Sequence, residues 1–166
     1  QQELWEKNEL APRAIDREVS CSLHMAHMGC SSLPEALIKQ SIRAGLSDGW
    51  GGSMMGTEFS DVLFGTPKPI DTEANLGVMV EENVNIVVHG HDPSLSEMVC
   101  EYADSPEMIA YAKEMGAKGI TVSGVCCTSN EVAMRRGIPM AGNFLQQENV
   151  VLTGACEAIV VDVQCI

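Results

Sequence analysis

A chain of 166 residues, 45% hydrophobic and 20% charged, has the length and composition of one globular domain or two small ones. Its formal net charge of −13 leaves no basic footprint for nucleic acid, and no apolar run reaches the ~18 residues of a membrane span. No signal-peptide pattern is visible in the polar stretch "QQELWEKNEL", and the seven cysteines are odd in number, irregularly spaced and without a CxxC. A disulfide framework, a zinc ribbon and a ferredoxin-type cluster are therefore disfavoured, and reduced cytoplasmic thiols are expected.

Residues 12–28 are expected to be helical. Pro12 suits a first turn, and Ile15, Val19, Leu23 and Ala26 recur at helical spacing. "SSLPEALIKQSIRAGLSDG" predicts a second helix, with Ser32 and Glu35 as a capping box and Leu37, Ile38, Ile42 and Leu46 as an apolar stripe. "DGWGGSM" reads as a glycine-rich turn and "TEFSDVLFG" as a short helix. Breakers crowd "GTPKPIDTEANLG", which places a boundary between a helical segment, residues 1–75, and an α/β domain, residues 76–166.

The second part alternates. Strands are expected at 84–89, 119–125 and 157–163, with a short one in "IPMAGNF". Helices are expected in "PSLSEMVCEYA", "SPEMIAYAKEMG" and "SNEVAMRRG". Continuous Val/Ile runs between helices predict a Rossmann-like parallel sheet, so the fold class is α/β. The chain opens on Gln1 and stops on the apolar run "AIVVDVQCI". A bare central strand leaves two faces uncovered, so a piece of a larger protein is expected, its sheet truncated at the C-terminus.

Parallel strands end on one side, where open α/β sheets bind ligands. Three of these strands end in possible metal ligands: His89 and His91, Cys126 and Cys127, and Cys165. Neighbouring side chains of extended backbone point to opposite faces, so one of Cys126 and Cys127 faces a shared pocket and the other packs. Two buried small hydrophobes are the plainer reading of that pair. A helix N-terminus beside them favours the anionic thiol that binds metal. His89 and His91 form an HxH pair such as zinc hydrolases use. Those enzymes need further histidines and an aspartate, and this chain has only His24 and His27 besides, both far upstream. Thiols among the donors favour iron, nickel or a sulfide cluster.

Other patterns carry less. Cys21, His24, His27 and Cys30 are three apart, and steps of three drift by about 60° on a helix, so the four cannot share one metal. "DGWGGSM" lacks the strand and GK[ST] of a phosphate loop, and no GxGxxG follows the first strand. Asp48, beside those glycines, is either a proton-transfer group or a solvated residue at a helix end.

Four stretches together, "DGWGGSM…SDVLFGTPKP", "NVNIVVHGHDPSLSEM", "GVCCTSNEVAMRRGIPMAGNF" and "LTGACEAIVVDVQCI", resemble the catalytic subunit of anaerobic nickel–iron carbon monoxide dehydrogenases. The resemblance runs along nearly the whole chain but covers only about the middle quarter of such an enzyme. It implies an oxidoreductase that converts CO and water reversibly to CO2, two protons and two electrons on a nickel–iron–sulfide cluster of Ni-4Fe-4S type. It further implies that His91 and Cys127 hold an iron pendant to that cluster, that Cys165 holds a cubane iron, and that Asp48 lies near the substrate. His89 and Cys126 would be supporting residues.

Three further cysteine ligands, the upstream [4Fe–4S] cluster cysteines and the lysine and histidines that handle protons are all absent from this chain. The implied partners are ferredoxin as electron acceptor, a second copy of the full enzyme in a homodimer, and an acetyl-CoA synthase in some members. The fragment alone is expected to be inactive. A non-catalytic apo fragment of the same fold, or an HxH zinc hydrolase, is the alternative.

Overall fold

The computed structural model describes residues 1–162. The chain forms two compact units, Gln1–Phe59 and one that begins at Ser60. The first unit is helical: α1 (Gln2–Lys7), α2 (Ile15–His27) and α3 (Pro34–Ser47) lead into a π-helical segment, Asp48–Met54, and then the first half of α4 (Met55–Phe64), whose second half belongs to the other unit. The glycines of "DGWGGSM" were expected to turn the chain, and they wind it into a π-helix instead. Gly51 leaves room for the Ile15 side chain of α2, whose Cδ1 lies 1.9 Å from where a Cβ would stand.

The expected capping box does not form. Pro34 at the first helical position holds the residue before it extended, so Leu33 becomes the N-cap and Ser32 falls one residue too early.

A buried carboxylate, not the apolar stripes, organises the contact of α2 with α3. Glu18 is fully buried. It accepts forked hydrogen bonds from Arg13, Nε at 2.8 Å and Nη2 at 2.8 Å, and another from Gln40 Nε2 at 2.8 Å. Val19, Leu23, Ile38 and Ile42 point outward and are exposed.

The Arg13 guanidinium, opposed in part by burial, holds the Glu18 carboxyl down to a pKa of about 2. That value lies below the ~4.3 of an unfolded glutamate. The pair therefore stabilises fully above the unfolded value and is lost as pH falls through the folded one. Acid titration followed by helical circular dichroism should show stability declining between about pH 4.3 and 2. Glu18→Gln should flatten that part of the titration while lowering stability at neutral pH.

The second unit holds the sheet. It runs β1 (Val84–His89), α5 (Pro93–Ala103), α6 (Pro106–Glu114), β2 (Ile120–Val125), α7 (Cys126–Arg136), β3 (Met140–Gly142), a 3-10 turn at Phe144–Gln146, α8 (Gln147–Leu152) and β4 (Ala158–Val161). The four strands are all parallel in the order β3-β2-β1-β4. β1 is buried along most of its length, as expected of a central strand covered on both faces. Val87, Val125, Met79, Ala141 and Val150 form the apolar core beside it. Gly124 lets α7 lie close on the sheet, since a Cβ there would meet the Ser129 Cβ at 2.1 Å.

Register places the strand ends level. His89 pairs with Val125 of β2 on one side and with Val161 of β4 on the other. The chain moves from β1 to β2 and β3 on one side and returns to β4 on the other. A topological switch point, the ligand-binding place in such sheets, therefore falls between β1 and β4. No helix among the described residues is long and apolar enough to cross a membrane.

Candidate metal centre

β1 ends at His89, which is buried, and its Nε2 lies 2.6 Å from Gln147 Oε1 of α8. Its Nδ1 is buried without a hydrogen-bond partner among the described residues. Gly90 follows with φ +130, a conformation that glycine tolerates and other residues rarely adopt. It turns the chain so that the backbone N–H groups of His91 and Asp92 point together. Asp92 then caps α5, its Oδ1 accepting from the Ser94 N–H at 2.9 Å.

Two successive N–H groups ahead of a helix make an anion-binding concavity, the place where dinucleotide folds take a pyrophosphate. Here the protein fills it with its own carboxylate. Asp162, just past β4, accepts from the His91 N–H at 2.9 Å on Oδ1 and 3.0 Å on Oδ2, and also from the Asp92 N–H. Nucleotide binding, disfavoured by the missing glycine fingerprint, is thus also blocked sterically and electrostatically at this turn.

β2 delivers the two adjacent cysteines. They separate by a route other than the expected one. Cys126 adopts φ +69 instead of continuing an extended strand, so a left-handed turn, not strand alternation, parts the two thiols. Cys126 is half-buried and packs against the apolar core. Cys127 is exposed in the first turn of α7.

The next residue braces this turn against the His91 loop. The Thr128 N–H donates to Gly90 O at 2.9 Å, and its Oγ1 lies 3.0 Å from Asp92 O and 3.0 Å from Ser96 Oγ. His91 and Cys127 therefore each sit one residue from a shared main-chain hydrogen bond.

The other candidates are placed as follows. Cys165 lies outside the described residues. Asp48 is exposed at the start of the π-helical segment. A Cβ at Gly52 would meet its Oδ1 at 2.5 Å, so the carboxylate rests over that glycine. His24, His27 and Cys30 are exposed, with Cys30 beyond the end of α2. Among the described residues, no three His, Cys, Asp or Glu side chains form a group that could hold a metal ion.

The described cysteines are all free thiols. Burial pushes the Cys100 thiol up to about 11 and raises Cys156 as well, which suits packing and not ligation. Asp162, Thr128 and Gln147 escaped the sequence reading. The one available signal was the glycine between two histidines at a strand end.

The Prismane/CO dehydrogenase family model matches residues 1–166. Carbon monoxide dehydrogenase 1 of Methanosarcina mazei is 52% identical over 98% of the chain and 26% of its own length. A solved carbon monoxide dehydrogenase from Thermococcus sp. AM4, as isolated and nickel-free, superposes with a TM-score of 0.89 at 57% identity, over 99% of this chain and 26% of that one. A solved acetyl-CoA synthase/carbon monoxide dehydrogenase, described by NiZn[Fe4S4] and NiNi[Fe4S4] clusters in its alpha subunits, gives a TM-score of 0.87 at 46% identity. That match takes in 99% of this chain and 24% of the other. The chain thus spans about a quarter of the length of these relatives.

Proposed function

Since the chain belongs to the Prismane/CO dehydrogenase family, we propose that it is part of a carbon monoxide dehydrogenase whose nickel–iron–sulfide cluster is held in part by His91, Cys127 and Cys165. The observation that carries this reading is the brace between the His91 loop and the Cys127 turn, Thr128 N–H to Gly90 O at 2.9 Å. It ties an imidazole and an exposed thiol to strand ends that are level in register. A soft thiol beside an imidazole suits iron and nickel in a sulfide cluster. When bound, the cluster supplies the redox and Lewis-acid chemistry for CO + H2O → CO2 + 2H+ + 2e−.

The chain's own residues have narrower tasks. His91 and Cys127 present their donors from a braced edge. Cys126 packs against the apolar core, and Gln147 fixes the orientation of the His89 ring. The Asp48 carboxylate would act as a proton acceptor for the reaction. Upstream [4Fe–4S] clusters of the whole enzyme and a ferredoxin-type acceptor would supply the route for the electrons. The whole enzyme works in the cytoplasm as a homodimer, where free thiols persist, and an acetyl-CoA synthase is a further partner. Exposed apolar residues such as Val62 and Leu63 of α4 are surface for the rest of the enzyme to cover.

The experiment is CO-dependent reduction of a dye by the full-length protein. Asp48→Asn removes a proton acceptor without removing a ligand. Nickel and iron content should stay while turnover falls by about 10²–10⁴, the usual scale for a lost general base. Loss of the cluster in Asp48→Asn would instead make Asp48 a residue that holds the metal site together.

A further inference from the structure

We infer that Asp162 is the positioning residue for His91, its carboxylate fixing the main chain of the loop that carries the imidazole. This inference rests on the proposed metal site. Both carboxylate oxygens are engaged by the His91 N–H, at 2.9 and 3.0 Å, and Oδ2 also accepts from the Asp92 N–H. The Asp162 N–H in turn donates to His89 O at 3.1 Å. That main-chain bond is the last rung of the β1–β4 ladder, whereas the carboxylate contacts lie beyond the last paired residues, His89 and Val161, and add nothing to the ladder itself. The carboxylate acts on the loop alone.

Gly90 carries the complementary mark. A Cβ there would stand 1.2 Å from Asp162 Oδ1, so the glycine leaves the space that the carboxylate occupies. Asp162 follows β4 directly and precedes Cys165 by three residues. One side chain thus ties the loop bearing His91 to the end of β4, across the switch point of the sheet. Thr128 closes the opposite side of the same loop, from the turn that carries Cys127. With both clamps made, the His91 backbone is held by fixed main-chain hydrogen bonds, as a ligand that must meet a metal at a set distance requires.

An internal control exists at the other end of the same strand pair. Glu157 Oε2 accepts the Asn85 N–H at 2.6 Å, an equivalent carboxylate clamp far from His91. The test compares full-length wild type, Asp162→Asn, Asp162→Ala and Glu157→Gln. The first readout is amide hydrogen exchange, which needs no metal. The His91 and Asp92 amides should exchange slowly in wild type and at least about tenfold faster in Asp162→Ala, with Glu157→Gln unchanged at those two sites.

The second readout is the electron paramagnetic resonance spectrum of the cluster together with iron and nickel content. Asp162→Asn should shift the spectrum and lower metal affinity by about 10–100-fold, the scale for an outer partner of a ligand. Glu157→Gln at matched thermal stability should keep both. Unchanged exchange at His91 and Asp92 in Asp162→Ala would overturn the inference. So would a cluster spectrum in Asp162→Asn identical to that of Glu157→Gln. A wild-type protein without iron and nickel would instead overturn the proposed function, and the exchange result would still decide the clamp.

Discussion

In the full-length enzyme, His91→Ala and Cys127→Ala should each abolish CO oxidation and lower iron and nickel content, while Cys126→Ala keeps the metal and much of the activity. An alanine offers no donor atom, and water replaces a lost imidazole or thiolate poorly. Disturbing a mere outer partner of a ligand costs ~10–100-fold, so removing the ligand itself should take activity below ~1% of wild type. Cys126 differs because its side chain packs against the core, and alanine meets the same left-handed backbone demand that cysteine already meets at φ +69. Metal analysis beside a dye-reduction assay reads both effects. If Cys126→Ala loses the metal and Cys127→Ala keeps it, the two thiols have exchanged roles.

The second large effect is on stability and lies away from the metal. Arg135 is almost fully buried, with a side-chain exposure of 4%. Its guanidinium donates to Gly65 O at 2.6 Å and pairs with Glu131 at 3.1 Å, Asp61 at 3.2 Å and Glu97 at 3.4 Å. Glu97 is buried too and also holds Arg136 Nε at 2.6 Å. Arg135→Ala leaves the buried Glu97 with Arg136 alone and strips a carbonyl of its donor. Breaking a buried pair on one side costs about 3–5 kcal/mol. The denaturation midpoint of the protein should fall accordingly with the slope unchanged. Arg135→Lys should fall between, because a compact ammonium cannot span four acceptors.

The sheet was legible because its strands are Val/Ile runs cut off by glycine or by a helix. The expected strands at 84–89 and 119–125 match β1 and β2 to within one residue. The strand expected at 157–163 is observed as Ala158–Val161, and Val163 lies outside the described residues. Other elements were hidden for identifiable reasons. Helix α8 is only six residues long, too short for periodicity to register. The π-helical segment is built from glycines that local propensity reads as a turn.

The apolar stripes of α2 and α3 were legible as stripes. Their outward direction was not, because Glu18 and Gln40 form the buried contact. At the candidate site the donor residues stood at strand ends and could be chosen from the sequence. Asp162 could not, since its partners are backbone N–H groups 70 and 71 residues away and only the fold brings them together.

The central claim, that His91, Cys127 and Cys165 belong to a nickel–iron–sulfide site, is tested most directly by metal and sulfide analysis of the anaerobically purified full-length protein. Nickel, iron and acid-labile sulfide present together are the predicted result. Stoichiometric zinc without sulfide, or a folded protein devoid of all three, would contradict it.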